Sequence, residues 1–209
     1  MDTPQPLFNI NTSIARDLEA YVSFGADLHY VMKVTHSAVK FLEEDQEDDF
    51  TLQTYLSAAL AAYARPFKDG VRGAKKLNLE ANAVYGGVEG AENLHKYLIN
   101  QRDKFVAHSV NPFETTNAGV ILNNKGRPVG VGCLSSRLTS FTLDDYRQFN
   151  QLAKIALEAV NNKILVLQEQ LLEEAQKFTD VELSLLKPMR FTTPLSDEAG
   201  SSKRRPKKG

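Results

Sequence analysis

Arg102 and His108, in the stretch Arg102-Asp103-Lys104-Phe105-Val106-Ala107-His108, are the two side chains whose types and spacing best suit chemistry on an anion. A guanidinium is always charged and offers a rigid fork of donors to phosphate, while an imidazole titrates near neutral pH and can pass a proton. At about 100° per residue, Ala91, Leu94, Leu98, Phe105 and Val106 mark one apolar helix face, and Arg102 falls near its centre. A cation there is costly unless it is paired or engaged on an anion. Between Arg102 and His108 an ideal helix rises about 9 Å and turns about 120°, so both lean toward one cleft if the helix ends near His108. Two readings stay open on this geometry. Arg102 could instead pair with a carboxylate from a neighbouring helix, and a histidine at a helix C-terminus complements the dipole.

Other candidates carry less. His29 and His36 stand seven apart on one helix face, which permits a ligand pair, but no third ligand lies nearby in sequence, so no metal site is expected. His95 reads as a surface residue one turn before Ile99. Arg65, in Tyr63-Ala64-Arg65-Pro66-Phe67, is a cation at a helix end that could reach a phosphate, though a plain helix terminus with an aromatic plug explains it as well. Cys133 lacks an identified base, and Ser109 and Ser135-Ser136 lack a nucleophile elbow or visible triad. Neither glycine cluster of 68–90 is followed by the Lys-Ser/Thr pair of a phosphate loop, and Gly130-Val131-Gly132 lacks a dinucleotide fingerprint. No cofactor is expected.

The elements that must hold Arg102 and His108 follow from apolar spacing. Ile14, Leu18, Tyr21, Gly25, Leu28, Met32, Thr35, Val39 and Leu42 recur at steps of three and four, which predicts a long helix over 12–43. Six acidic residues in the seven from Glu43 to Asp49 repel one another into a solvated loop, the last of them suiting the start of a second helix. That helix carries Leu52, Leu56, Ala59, Leu60 and Tyr63 and stops near Arg65, because Pro66 disfavours helix in the residue before it. An irregular connection with a short helix near 74–82 precedes a third main helix over 91–108. Asn123-Asn124-Lys125-Gly126 between Gly119–Leu122 and Pro128–Gly132 predicts a β-hairpin. A capping start at Thr142-Leu143-Asp144-Asp145 opens the last long helix, to about Phe178. The expected fold is all-α: an antiparallel four-helix-type bundle with a small β-hairpin insertion, about 118–134, before the last long helix. One domain over 1–190 is followed by a flexible basic tail over 191–209.

Composition bounds the function. The chain has 209 residues, 42% hydrophobic and 24% charged, the usage of a folded globular protein. A single cysteine, and an N-terminus without a basic then apolar leader, point to the cytoplasm and to no membrane partner. The tail Lys203-Arg204-Arg205-Pro206-Lys207-Lys208 carries five of the 25 basic residues; the remaining 20 stand against 26 acidic ones, so the body is net −6. Such a body offers no broad basic surface, and contact with nucleic acid must come from a local site or from the tail.

Arg102-Asp103-Lys104-Phe105-Val106-Ala107-His108 resembles the R-x4-6-H motif of the HEPN superfamily, in which Arg is followed by a polar residue, here Asp103, and the motif closes on His. The likeness extends to an all-α bundle with the motif on a late helix. It implies a metal-independent endoribonuclease of the toxin–antitoxin, abortive-infection or CRISPR-linked kind, acting as a homodimer, with an antitoxin or regulatory protein as a further partner. In that setting His108 is the general acid or base, Arg102 holds the scissile phosphate and Asp103 orients Arg102. The same fold without activity is a helical module that binds RNA, nucleotide or a partner protein, and the acidic body leans toward that alternative.

Overall fold

The computed structural model describes residues 6–46, 48–68, 71–72, 75–106, 115–136 and 140–189. His108, Ser109 and the basic tail lie outside the described residues. The chain is mostly helical with small two-stranded antiparallel sheets. Its helices are α1 Ser13–Glu43, α2 Asp49–Ala64, α3 Ala81–Tyr85, α4 Ala91–Gln101, α5 Leu143–Ala175 and α6 Asp180–Ser184, and its strands are β1 Val71–Arg72, β2 Lys75–Lys76, β3 Thr115–Leu122 and β4 Pro128–Ser136. Among the described residues no helix is long and apolar enough to cross a membrane.

Local chemistry explains the boundaries. The acidic run ends α1 and starts α2, where exposed Asp48 caps the helix by accepting from the Thr51 amide at 2.9 Å and from the Thr51 hydroxyl. Helix α2 stops at Ala64, two residues before Pro66, and the Phe67 and Lys68 amides fold back onto the Ala64 carbonyl at 3.1 and 3.0 Å. The chain enters α4 through Gly90, whose φ of 76° is left-handed and suits a residue without Cβ. At α5, Thr142 and Asp145 form the reciprocal capping box read from the sequence: Asp145 N–H donates to Thr142 Oγ1 at 3.2 Å, and Thr142 N–H to the Asp145 carboxylate at 3.0 Å. The short helix falls at 81–85, later than expected, and before it the backbone at Leu79 is tied to the end of α2, Leu79 N–H donating to Pro66 O at 2.8 Å.

The chain divides into two compact units. In the larger, residues 24–69 and 78–159, the core is built by Phe24, Leu28 and Val31 of α1, Leu56, Leu60 and Tyr63 of α2, Leu98 of α4, and Phe149 and Ala153 of α5. Polar groups pin these helices at specific heights. Asn150 Nδ2 donates to the Met32 carbonyl at 2.9 Å and to Thr35 Oγ1 at 2.7 Å, joining α5 to α1. The buried Tyr146 hydroxyl donates to the Leu52 carbonyl at 3.1 Å, joining α5 to α2.

Strands β3 and β4 of this unit pair in the register Thr115↔Ser136 through Ile121↔Gly130, with a bulge before Leu122. Asn123 Oδ1 closes the turn, accepting from the Lys125 and Arg127 amides at 2.9 and 3.0 Å. The hairpin is longer than the expected 118–134, and every residue of both strands is exposed.

The smaller unit, residues 1–23, 70–77 and 160–209, buries Ala15, Ala20, Val160 and Leu167. Helix α6 is held by a capping box between Thr179 and Glu182, and residues 7–9 run antiparallel to 187–189 through Asn9 N–H to Lys187 O at 2.8 Å and Met189 N–H to Leu7 O at 2.7 Å. Leu183 and the residues after it, which show little periodicity, thus pack partly by backbone pairing.

Replacing Asn150 with Ala removes the donor from Thr35 Oγ1 and the Met32 carbonyl, and the expected loss is about 1–3 kcal/mol of unfolding free energy, read as a lower urea midpoint. A midpoint equal to wild type would show that these bonds do not join α1 to α5.

Candidate functional site

Helix α4 runs as a regular α-helix only to Gln101, and Arg102–Val106 form a π-helical turn rather than the continuous helix to His108 expected from periodicity. The Arg102 amide is shared between the Ile99 and Leu98 carbonyls at the junction. The wider turn ends the ideal-helix relation between Arg102 and His108 used above, and such turns recur where a side chain must be re-aimed. The buried face of α4 is Ala91, His95, Leu98 and Gln101, and Val106, expected on the apolar face, is exposed. Arg102 extends the 91-95-98 stripe by one turn and emerges where the core ends, its side chain 37% exposed.

Asp103 organises this end of α4. Its Oδ1 accepts from Arg102 Nη1 at 3.1 Å, and its Oδ2 accepts from Lys68 Nζ at 2.6 Å. Partial burial raises the carboxyl pKa, but the hydrogen bonds and positive charges of Lys68 and Arg102 outweigh it and hold the group below its ordinary value. One carboxylate therefore steadies two cations, and these three groups together carry a net charge of +1 where solvent reaches them. Lys68 had no signal in the sequence; the fold-back of the chain at Pro66 puts it there. Arg102 does pair with a carboxylate, as one of the two readings required, but with its own sequence neighbour rather than with another helix.

Beneath this surface lies a buried polar cluster. Tyr63 Oη is 2.8 Å from Tyr85 Oη and 2.9 Å from His95 Nδ1. Phe67 closes the group, its ring 4.6 Å from that of His95 and stacked at 5.8 Å on Tyr85. His95 is therefore a core residue, against the surface position expected for it: the sequence cannot show that α2 supplies its hydroxyl partner and α3 that hydroxyl's second partner. Burial, then Lys96, lowers its pKa, Glu92 opposes that, and Lys68 adds to it. Burial raises both tyrosine values and keeps the phenols protonated.

The remaining candidates are quickly placed. Arg65 is bonded to Asp27 of α1 at 2.9 Å, so its charge is committed to a carboxylate with little exposure. His29 and His36 are exposed, and among the described residues no group of three or more His, Cys, Asp or Glu assembles that could hold a metal ion. Cys133 is exposed on β4. No protein family, curated protein or solved structure matches the chain.

Two measurements test this core. Tyr63→Phe deprives His95 and Tyr85 of a shared partner and should cost about 1–3 kcal/mol by urea denaturation. Because the folded pKa of His95 is depressed, the unfolded chain takes its proton first as pH falls. The histidine's contribution is complete above its ordinary value of about 6.5 and declines below it, levelling off beneath the folded value. The melting temperature should fall through that window in wild type and fall less in His95→Gln; identical pH slopes in the two proteins would contradict the assignment.

Proposed function

We propose that this chain is a metal-independent endoribonuclease of the HEPN type, an antiparallel bundle of α1, α2, α4 and α5 that works as a cytoplasmic homodimer in a toxin–antitoxin or phage-defence setting. The observation that carries the reading is the Asp103 carboxylate, which steadies Arg102 and Lys68 side by side on the π-turn within the Arg-Asp-x4-His motif. Arg102 keeps donors beyond the one bonded to Asp103 and is exposed enough to meet a phosphate.

In the reaction, His108 takes the proton of the ribose 2′-hydroxyl as that oxygen attacks phosphorus. The bond from phosphorus to the 5′-oxygen breaks, and the leaving oxygen takes a proton from a second imidazole, supplied by the other copy. Arg102 stabilises the charge of the pentacoordinate state, Lys68 adds a neighbouring cation, and Asp103 is a positioning residue. The products are a 2′,3′-cyclic phosphate and a 5′-hydroxyl. The acidic balance of the body favours a second reading, a non-catalytic module binding RNA, nucleotide or a protein partner.

RNA cleavage in EDTA by wild type, Arg102→Ala and His108→Ala, with product ends analysed and folds checked by circular dichroism, decides between them. Each substitution should lower the rate by roughly 10²-fold or more. Lys68→Ala should act mainly through KM. Cleavage that survives both Arg102→Ala and His108→Ala refutes the site, and an intact RNA panel that the wild type nevertheless binds favours the module.

A further inference from the structure

The β3–β4 hairpin has a feature the site does not use. Its seventeen strand residues include no Asp, Glu, Lys or Arg, yet both strands are exposed throughout. An isolated two-stranded hairpin is marginal in water, and uncovered apolar strands with open edges invite pairing.

The register separates the two faces. Thr116, Ala118 and Val120 share one face with their partners Ser135, Cys133 and Val131, while Asn117 and Ile121 share the other with Leu134 and Gly130. On the second face Ile121 folds back across the glycines, its Cδ1 being 3.6 Å from where a Gly130 Cβ would stand and 3.9 Å from that of Gly132. Both faces are exposed, with Leu134 78% exposed on the second and Val131 81% and Val120 63% on the first, but Gly119, Gly130 and Gly132 interrupt the second face, whereas the first carries a side chain at every position.

We propose that this face, centred on Val120 and Val131, is where a second copy of the chain packs, hairpin against hairpin. Three observations select that occupant. The face nearly repeats itself across its two strands, valine opposite valine, alanine opposite cysteine and threonine opposite serine, so a copy turned by a two-fold axis along the strands offers like to like. The strands are uncharged, so stacking two copies meets no like-charge repulsion between them, whereas RNA finds no cation there; Lys125 and Arg127 sit past the strands in the turn. That polar, basic turn also suits tip-first insertion into lipid poorly. Eight paired residues at about 3.4 Å along two strands about 4.8 Å apart give a footprint of roughly 260 Å² per copy and roughly 520 Å² per pair, below the size of a permanent interface and in keeping with a weak, concentration-dependent dimer. The inference rests on the hairpin alone and holds whether or not Arg102 and His108 cleave RNA.

Sedimentation velocity of the full chain at rising concentration should show a monomer–dimer equilibrium. Val120→Lys/Val131→Lys, both exposed strand positions, should return the protein to monomer with an unchanged circular dichroism spectrum. Leu134→Lys on the opposite face should leave the dimer. A wild type that stays monomeric, a dimer indifferent to the two lysines, or monomers that instead float with phosphatidylcholine vesicles would each overturn the assignment.

Discussion

Tyr63 is the residue on which the larger unit depends. Its ring is fully buried on α2 and meets Phe149 of α5 edge-on at 5.2 Å, while its hydroxyl joins Tyr85 of α3 and His95 of α4. Four helices thus converge on one side chain. A phenol buried without partners would lose much of what its ring contributes, so the hydroxyl network and the aromatic packing must form together. Any displacement of α4 relative to α2 breaks a hydrogen bond in a place water does not reach. That requirement fixes where α4 ends, and therefore where Arg102 emerges.

The same register accounts for the surface above the cluster. Pro66 terminates α2 one turn beyond Tyr63, and the chain folds back so that Lys68 reaches the π-turn after α4. Asp103 then accepts from both cations. A single exposed ion pair contributes little to stability, and the consequence of this arrangement is orientation: one carboxylate restricts both cationic side chains. Structure and chemistry are linked here through a core that is itself polar, which is why the histidine of α4 senses Lys68 although it lies in the interior.

The hairpin follows opposite rules. The helical core hides its apolar groups and satisfies its polar ones, whereas β3 and β4 satisfy one edge of each strand and leave apolar side chains in water. Its register is nonetheless well defined, because the Asn123 turn and the bulge beside Leu122 hold the strands against slippage. A regular, uncharged, exposed sheet of this kind is costly for a monomer to maintain, and its natural explanation lies in another surface.

The sequence by itself determined the long helices, their caps and breaks, and the hairpin. Those features arise from short-range physics: three-and-four apolar spacing for α1 and α5, the Thr142–Asp145 box, Pro66 after α2, and asparagine and glycine at the 123–126 turn. It also proposed Arg102, Asp103 and His108 as a site, the last of them outside the described residues. What it could not contain was who meets whom across the fold. The buried His95 is bonded to a hydroxyl 32 residues earlier in the chain, that of Tyr63, and Lys68 joins Asp103 across 35 residues. The π-turn likewise departs from the ideal periodicity on which any helical projection relies. These contacts follow from how the helices pack side by side, so only the tertiary structure decided them.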